Sequence, residues 1–181
     1  SVDLGINTDA VCTIMRSDGT VLGRKFINFP SEKDRMYRTL GRIRKFQREH
    51  GPAQAGGRWA YTKRLNTELG RKIAGAVAAY AEENHADVIV FEYLEMQGKI
   101  SGKNKQKLHL WRKREIQKRC GHQAHRKGIR VSRVCAWNTS RLAYDGSGQV
   151  LRDPKNHSLC TFQTGKRYNC GLSAAYNIGR S

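Results

Sequence analysis

Three short runs of alternating apolar and polar residues open the chain. Residues 2–7 (VDLGIN), 10–16 (AVCTIMR) and 21–29 (VLGRKFINF) each predict a β-strand, the last one ended by Pro30. Ser17, Asp18, Gly19 and Thr20 make a hairpin-type turn between the second and third strands. Such short connections predict an antiparallel meander. The period then changes. Ser31 is placed to cap a helix with Glu32 and Asp34 in its first turn, and the basic far half of that helix ends near Gly51 and Pro52. A loop of small residues (51–57) leads to a second helical stretch over about 58–84. There Ile73, Val77 and Tyr80 keep helical spacing among alanines. Residues 87–91 (DVIVF) are continuously apolar, the mark of a strand buried on both faces, and Glu92 follows at its end. Beyond it come a Gly/Lys/Asn-rich loop (97–105), a basic helix (106–127), and a fifth strand by strict alternation (129–134, IRVSRV). An irregular polar stretch with Gly and Asp-Pro breakers (135–170) and a short helix (172–179, LSAAYNIG) complete the order. The predicted class is α/β, a mixed sheet flanked by helices.

Charge narrows the function. Lys and Arg number 34 against 15 Asp and Glu, a formal net charge of +19. Like charges repel and add nothing to stability, so the excess points to a polyanionic partner. The basic residues recur along most of the chain, which suits a groove following a phosphate backbone better than a single tethering arm. No apolar run approaches the roughly 18 residues of a membrane span, and no membrane partner is expected. The chain opens inside a strand-like stretch without a signal sequence, so it reads as a fragment of a longer protein. Five widely spaced cysteines do not form a secreted disulfide framework, and a reducing cytoplasmic setting is expected.

Two acids then stand out. Asp3 lies in the first strand, and Glu92 closes the fourth. Carboxylates on neighbouring strands repel and are costly to desolvate together unless a cation joins them. Hard oxygen ligands suit Mg²⁺ or Mn²⁺, and two such ions would activate a water against a phosphodiester. Taken singly, each acid could equally be ordinary: a strand Asp bonding local backbone, or a solvated rim Glu.

The pattern as a whole resembles the RuvC nuclease domain of TnpB-type transposon-encoded proteins and type V CRISPR effectors. VDLGIN resembles the first RuvC motif, with Asp3 as its catalytic, metal-binding Asp. VIVFEYLE resembles the second, with Glu92 as its Glu. LHLWRKREIQKR and GIRVSRV resemble the helix and strand before the family's zinc ribbon, and Asn138-Thr139-Ser140 stands where that ribbon opens. LSAAYNIG resembles the helix after the third motif. The resemblance implies an RNase H-like (RuvC) fold and Mg²⁺-dependent DNA cleavage (Mn²⁺ serving equally), with a guide RNA, a target DNA and the rest of a longer chain as partners. It also implies a RuvC-like core over residues 1–134, a degenerate zinc-ribbon-like insert over 135–170 and a final RuvC helix over 171–181.

Two departures qualify it. The third motif has an Asp two residues before the position of Ser173, and that position is Gly171. No acid follows Asp153, so only Asp145 or Asp153 from the insert could take its place, and only by folding back. Two carboxylates make a weaker divalent site, so DNA binding with hydrolysis lost or impaired is expected. An active endonuclease with a third ligand from elsewhere is one alternative. An RNA-independent transposase or resolvase of the same fold is another. The insert also lacks the paired C-x₂₋₄-C spacing of a zinc ribbon: Ala143 and Gly146 stand where the first pair belongs, and Cys160 and Cys170 are isolated, so zinc is not expected. On the basic helix, Arg112, Lys113, Arg114, Lys118 and Arg119 are candidate phosphate contacts. Trp111 among them either stacks on a base or anchors an amphipathic helix. His122 and His125 read as part of the same charged face, and Trp59 and Trp137 as core or rim.

Overall fold

The computed structural model describes residues 1–93 and 113–181. Five strands form one sheet: β1 (Val2–Asp3), β2 (Ala10–Met15), β3 (Val21–Ile27), β4 (Val88–Tyr93) and β5 (Arg130–Cys135). Their spatial order is β3-β2-β1-β4-β5. The first three are antiparallel, as the meander predicts, while β4 runs parallel to both β1 and β5. The mixed α/β sheet flanked by helices is therefore present as expected.

Helix α1 (Pro30–His50) and helix α2 (Gly56–Glu83) are joined by a single 3₁₀ turn, Pro52–Ala55. With α3 (Lys113–His125) they cover one face. Met36 and Leu40 from α1, Leu69, Ile73 and Val77 from α2, and Ile116 and Cys120 from α3 pack there against Val2, Cys12, Ile89 and Phe91 of the strands. The other face carries α4 (Cys170–Arg180), whose Leu172, Ala175 and Tyr176 close over Val11. Strand alternation decides which side chain goes where: Val2 and Phe91 face the three-helix side, so Asp3, Val11 and Glu92 face α4.

Several boundaries differ from expectation for identifiable reasons. Strand β1 stops at Asp3 instead of continuing to residue 7, because the chain folds over at Gly5. A Cβ there would lie 2.6 Å from the Thr8 carbonyl oxygen, so only glycine permits the loop. Ser31 does not cap α1. The helix starts two residues earlier than a Ser31 cap implies, with Pro30 at its first position, where the missing N–H costs nothing, and Phe29 at the cap position makes no side-chain cap bond. Buried Asp9 instead fixes this junction, accepting the Phe29 N–H at 2.8 Å and pairing with Lys33 at 2.9 Å. Glu92 lies within β4 instead of after it. That strand is not buried throughout, since Val88 remains 37% exposed.

The stretch after β5 is also more regular than its sequence suggests. It forms a three-stranded antiparallel sheet, β6 (Leu151–Arg152), β7 (Leu159–Thr161) and β8 (Arg167–Asn169). A small apolar core of Ala143, Cys160 and Phe162 holds it, with Tyr144 and Tyr168 against it. Helix α4 then begins at Cys170, two residues before the predicted start. Asn169 caps it, its Oδ1 accepting the Leu172 N–H at 2.9 Å.

Candidate functional site

A crevice outside the carboxyl ends of β1 and β4 is where this topology gathers functional groups, because the strand order reverses direction at β1. A cleft of about 590 Å³ opens there. Asp3, Glu92 and Gly171 all line it, together with Lys113 of α3, Arg152 and His157 of the insert, and Asn169. Two elements separated by most of the sequence thus meet at the predicted acids.

Position 171 lies directly beside Asp3. A Cβ built on Gly171 would stand 3.2 Å from Asp3 Oδ2 and 2.9 Å from Cγ2 of Val11, the residue paired with Asp3 in the sheet register. The backbone of α4 therefore delivers its second residue to the carboxylates, but this residue has no side chain to offer. Neither Asp145 nor Asp153 lines the cleft. Asp145 accepts the Ser147 N–H, and Asp153 accepts those of Lys155 and Asn156 and pairs with Arg167.

The two acids are held differently. Glu92 is only 8% exposed, and its Oε1 accepts a hydrogen bond from the Thr139 hydroxyl. Gln117 supports the same residue through a 2.9 Å bond to its backbone carbonyl, and Arg133 in turn donates to Gln117 at 3.2 Å. Burial, and after it the charge of Glu92, push the Asp3 carboxyl up to about 6, against the opposing pull of Lys113 and Arg152. Lys113 shows the complementary effect: burial lowers its ammonium, while Asp3 and Glu92 hold it up.

This donor set does not fit a two-metal centre. Among the described residues two carboxylates face two cations of the chain's own, one carboxylate oxygen is already bonded by a hydroxyl, and Gly171 beside Asp3 has no side chain to act as a ligand. Among the described residues no group of three His, Cys, Asp or Glu side chains is placed to hold a metal. In the insert, Cys160 and Cys170 are neighbours, and burial, followed by the hydrogen bond with Cys170, pushes the Cys160 thiol up to about 12.

On α3, Arg114 and Lys118 occupy one exposed stripe with His122 and His125. Arg119 lies partly buried, paired with Glu115 at 2.8 Å. Trp111 and Arg112 lie outside the described residues. Trp59 packs against the main core, whereas Trp137 is 77% exposed. No motif marks Arg152 or Asn169, which only the fold brings to the cleft, together with His157. Thr139 belonged to a motif already noticed, but its bond to Glu92 was not legible there.

Two solved structures share this architecture. A chain in a Cas12f1-sgRNA-target DNA complex matches with a TM-score of 0.74 at 19% identity, over 98% of this chain and 48% of that one. The fold is Cas12f-like. A chain in a CRISPR-Cas12f ternary complex matches with a TM-score of 0.68, again at 19% identity, over 98% of this chain and 37% of that one. This chain thus spans less than half the length of either. No family model matches it, and no curated protein does. At such identity the likeness is one of fold.

Proposed function

We propose that this chain is the RuvC-type domain of an RNA-guided, DNA-binding protein of the TnpB and type V effector kind, and that it holds nucleic acid without hydrolysing it. Its partners in this reading are a guide RNA, a target DNA and the remainder of a longer chain, and its setting is the cytoplasm. Guide pairing supplies sequence specificity, while the basic surface meets the phosphate backbone. One observation carries the loss of cleavage: Gly171 lies against the Asp3 carboxylate, where the third acid of a hydrolytic centre would stand. Hydrolysis by two divalent ions needs ligands enough to fix both, and among the described residues this cleft offers two acids already balanced by Lys113 and Arg152.

An active enzyme with a third ligand from the insert finds less support, since both insert acids are bonded elsewhere. An RNA-independent transposase or resolvase would have to bind DNA tightly as protein alone. The test uses the full-length protein with the RNA that co-purifies. Target DNA should be retained in a mobility-shift assay and remain uncut in Mg²⁺ or Mn²⁺. Metal-dependent cleavage would overturn the proposal, and so would tight target binding by RNA-free protein.

A further inference from the structure

We infer that Trp137 is a stacking platform for an unpaired nucleobase at the rim of the cleft. The inference rests on the nucleic-acid reading above and adds a residue and a strand form to it. Indole side chains are large and usually well buried, so a tryptophan 77% exposed calls for a partner. Ala136 and Ser140, on either side of it in the same turn, line the cleft, so the turn that carries Trp137 lies at its rim.

The turn that carries it is firmly held. Asn138 adopts a left-handed φ of 65°, and its carbonyl accepts the N–H groups of Arg141 and Leu142 at 3.1 and 3.0 Å. Thr139 is buried with its hydroxyl against Glu92. From α4, Asn177 donates to the carbonyls of Thr139 and Leu142, each at 2.9 Å. The backbone is thus fixed to both the sheet and the opposite helix, while the indole is left to solvent. A side chain displayed on so rigid a turn loses little freedom when a ligand stacks on it.

Charge selects the ligand. Arg152, exposed, donates to the carbonyl of Ser140 at 3.3 Å, which ties a guanidinium to the turn that carries the indole. Arg141 follows on the turn and is exposed as well. An exposed aromatic on a turn that also carries arginines, in a chain of net charge +19, suits a base with its phosphates. A duplex keeps its base faces stacked internally, so the occupant is a single strand.

The experiment uses the full-length protein with its bound RNA and a fluorescein-labelled single-stranded deoxyoligonucleotide of unrelated sequence, read by anisotropy. Trp137→Ala should weaken binding by roughly 5- to 150-fold, the range for losing one base–aromatic stack, with the salt slope unchanged. Trp137→Tyr should restore most of it. The same oligonucleotide made abasic should bind wild type weakly and the alanine variant no worse. Duplex affinity and thermal midpoint should stay the same, because the indole is not part of a core. Wild-type binding of the single strand with no loss on Trp137→Ala overturns the platform and leaves the proposed function standing. Failure of the wild type to bind any nucleic acid overturns both. A changed thermal midpoint or molecular mass without a change in affinity shows the indole covered by protein, and this too overturns the platform.

Discussion

Restoring the acid at position 171 perturbs the site in a way the geometry makes quantitative. In Gly171→Asp the new Cβ meets Val11 Cγ2 at 2.9 Å and Asp3 Oδ2 at 3.2 Å, so neighbours must shift. Overpacking of this kind costs about 1–3 kcal/mol. The added carboxylate also sits beside Asp3, in the cleft that Glu92 lines. Like charges about 4 Å apart repel by on the order of 4 kcal/mol at an effective dielectric constant near 20, a cost that proton uptake limits. The helix N-terminus returns only about 0.3–1 kcal/mol. In chelator at neutral pH the variant should therefore be less stable by about 2–5 kcal/mol, a fall of roughly 4–20 °C in thermal midpoint for a chain of this size. Gly171→Ala carries the steric cost alone, and adding Val11→Ala to Gly171→Asp relieves it. Mn²⁺ should then stabilise Gly171→Asp, by about 2.7 kcal/mol at a hundred times its dissociation constant, and leave wild type nearly unmoved. Calorimetry of the three variants with and without metal reads all of this. Equal Mn²⁺ stabilisation of wild type and Gly171→Asp would refute the view that this position holds the missing ligand.

Asp3 gives a pH signature. Its folded-state value, about 6, lies above the usual 3.8, so its contribution is fully present below that lower value and is lost as pH rises through the higher one. At 1.36 kcal/mol per unit the loss is at most about 3 kcal/mol, and Asp3→Asn should flatten urea midpoints between about pH 4 and pH 7. An unaltered profile in that variant would contradict the burial argument. In the insert, Phe162→Ala should cost about 3–5 kcal/mol, while prolonged chelation should leave the wild-type melting curve unchanged, because an apolar cluster holds these strands. Stoichiometric zinc by elemental analysis would count against this. Replacing exposed Arg114 and Lys118 with alanine should reduce the salt slope of DNA binding by roughly 1 for each phosphate contact removed. An unchanged slope would remove that stripe from the interface.

The sheet was legible because alternation and short turns are local signals. The hairpin at residues 17–20, the run ending in Glu92 and the strand at 129–134 could all be read from periodicity. Local signals misled where a tertiary contact governs the boundary. Buried Asp9 and Pro30 set the start of α1, so the capping sequence at Ser31 was redundant. The insert looked irregular because its strands are only two or three residues long and its core rests on a few side chains gathered from across it. Asp3, Glu92 and Gly171 were found from motif order, and the fold sets them around one cleft. Arg152 could not have been found that way, because nothing in its neighbourhood of sequence distinguishes it from other exposed arginines. Trp137 was ambiguous between core and rim until the turn that displays it was seen.

Strand scission is the most direct readout of the carboxylate absent at position 171. Full-length protein carrying its own RNA is incubated with matched target DNA in Mn²⁺, and binding and strand scission are followed on the same sample, beside Gly171→Asp. The account predicts a stable wild-type complex with intact DNA, and scission that appears only when the acid is restored. Wild-type scission that a chelator abolishes would contradict it.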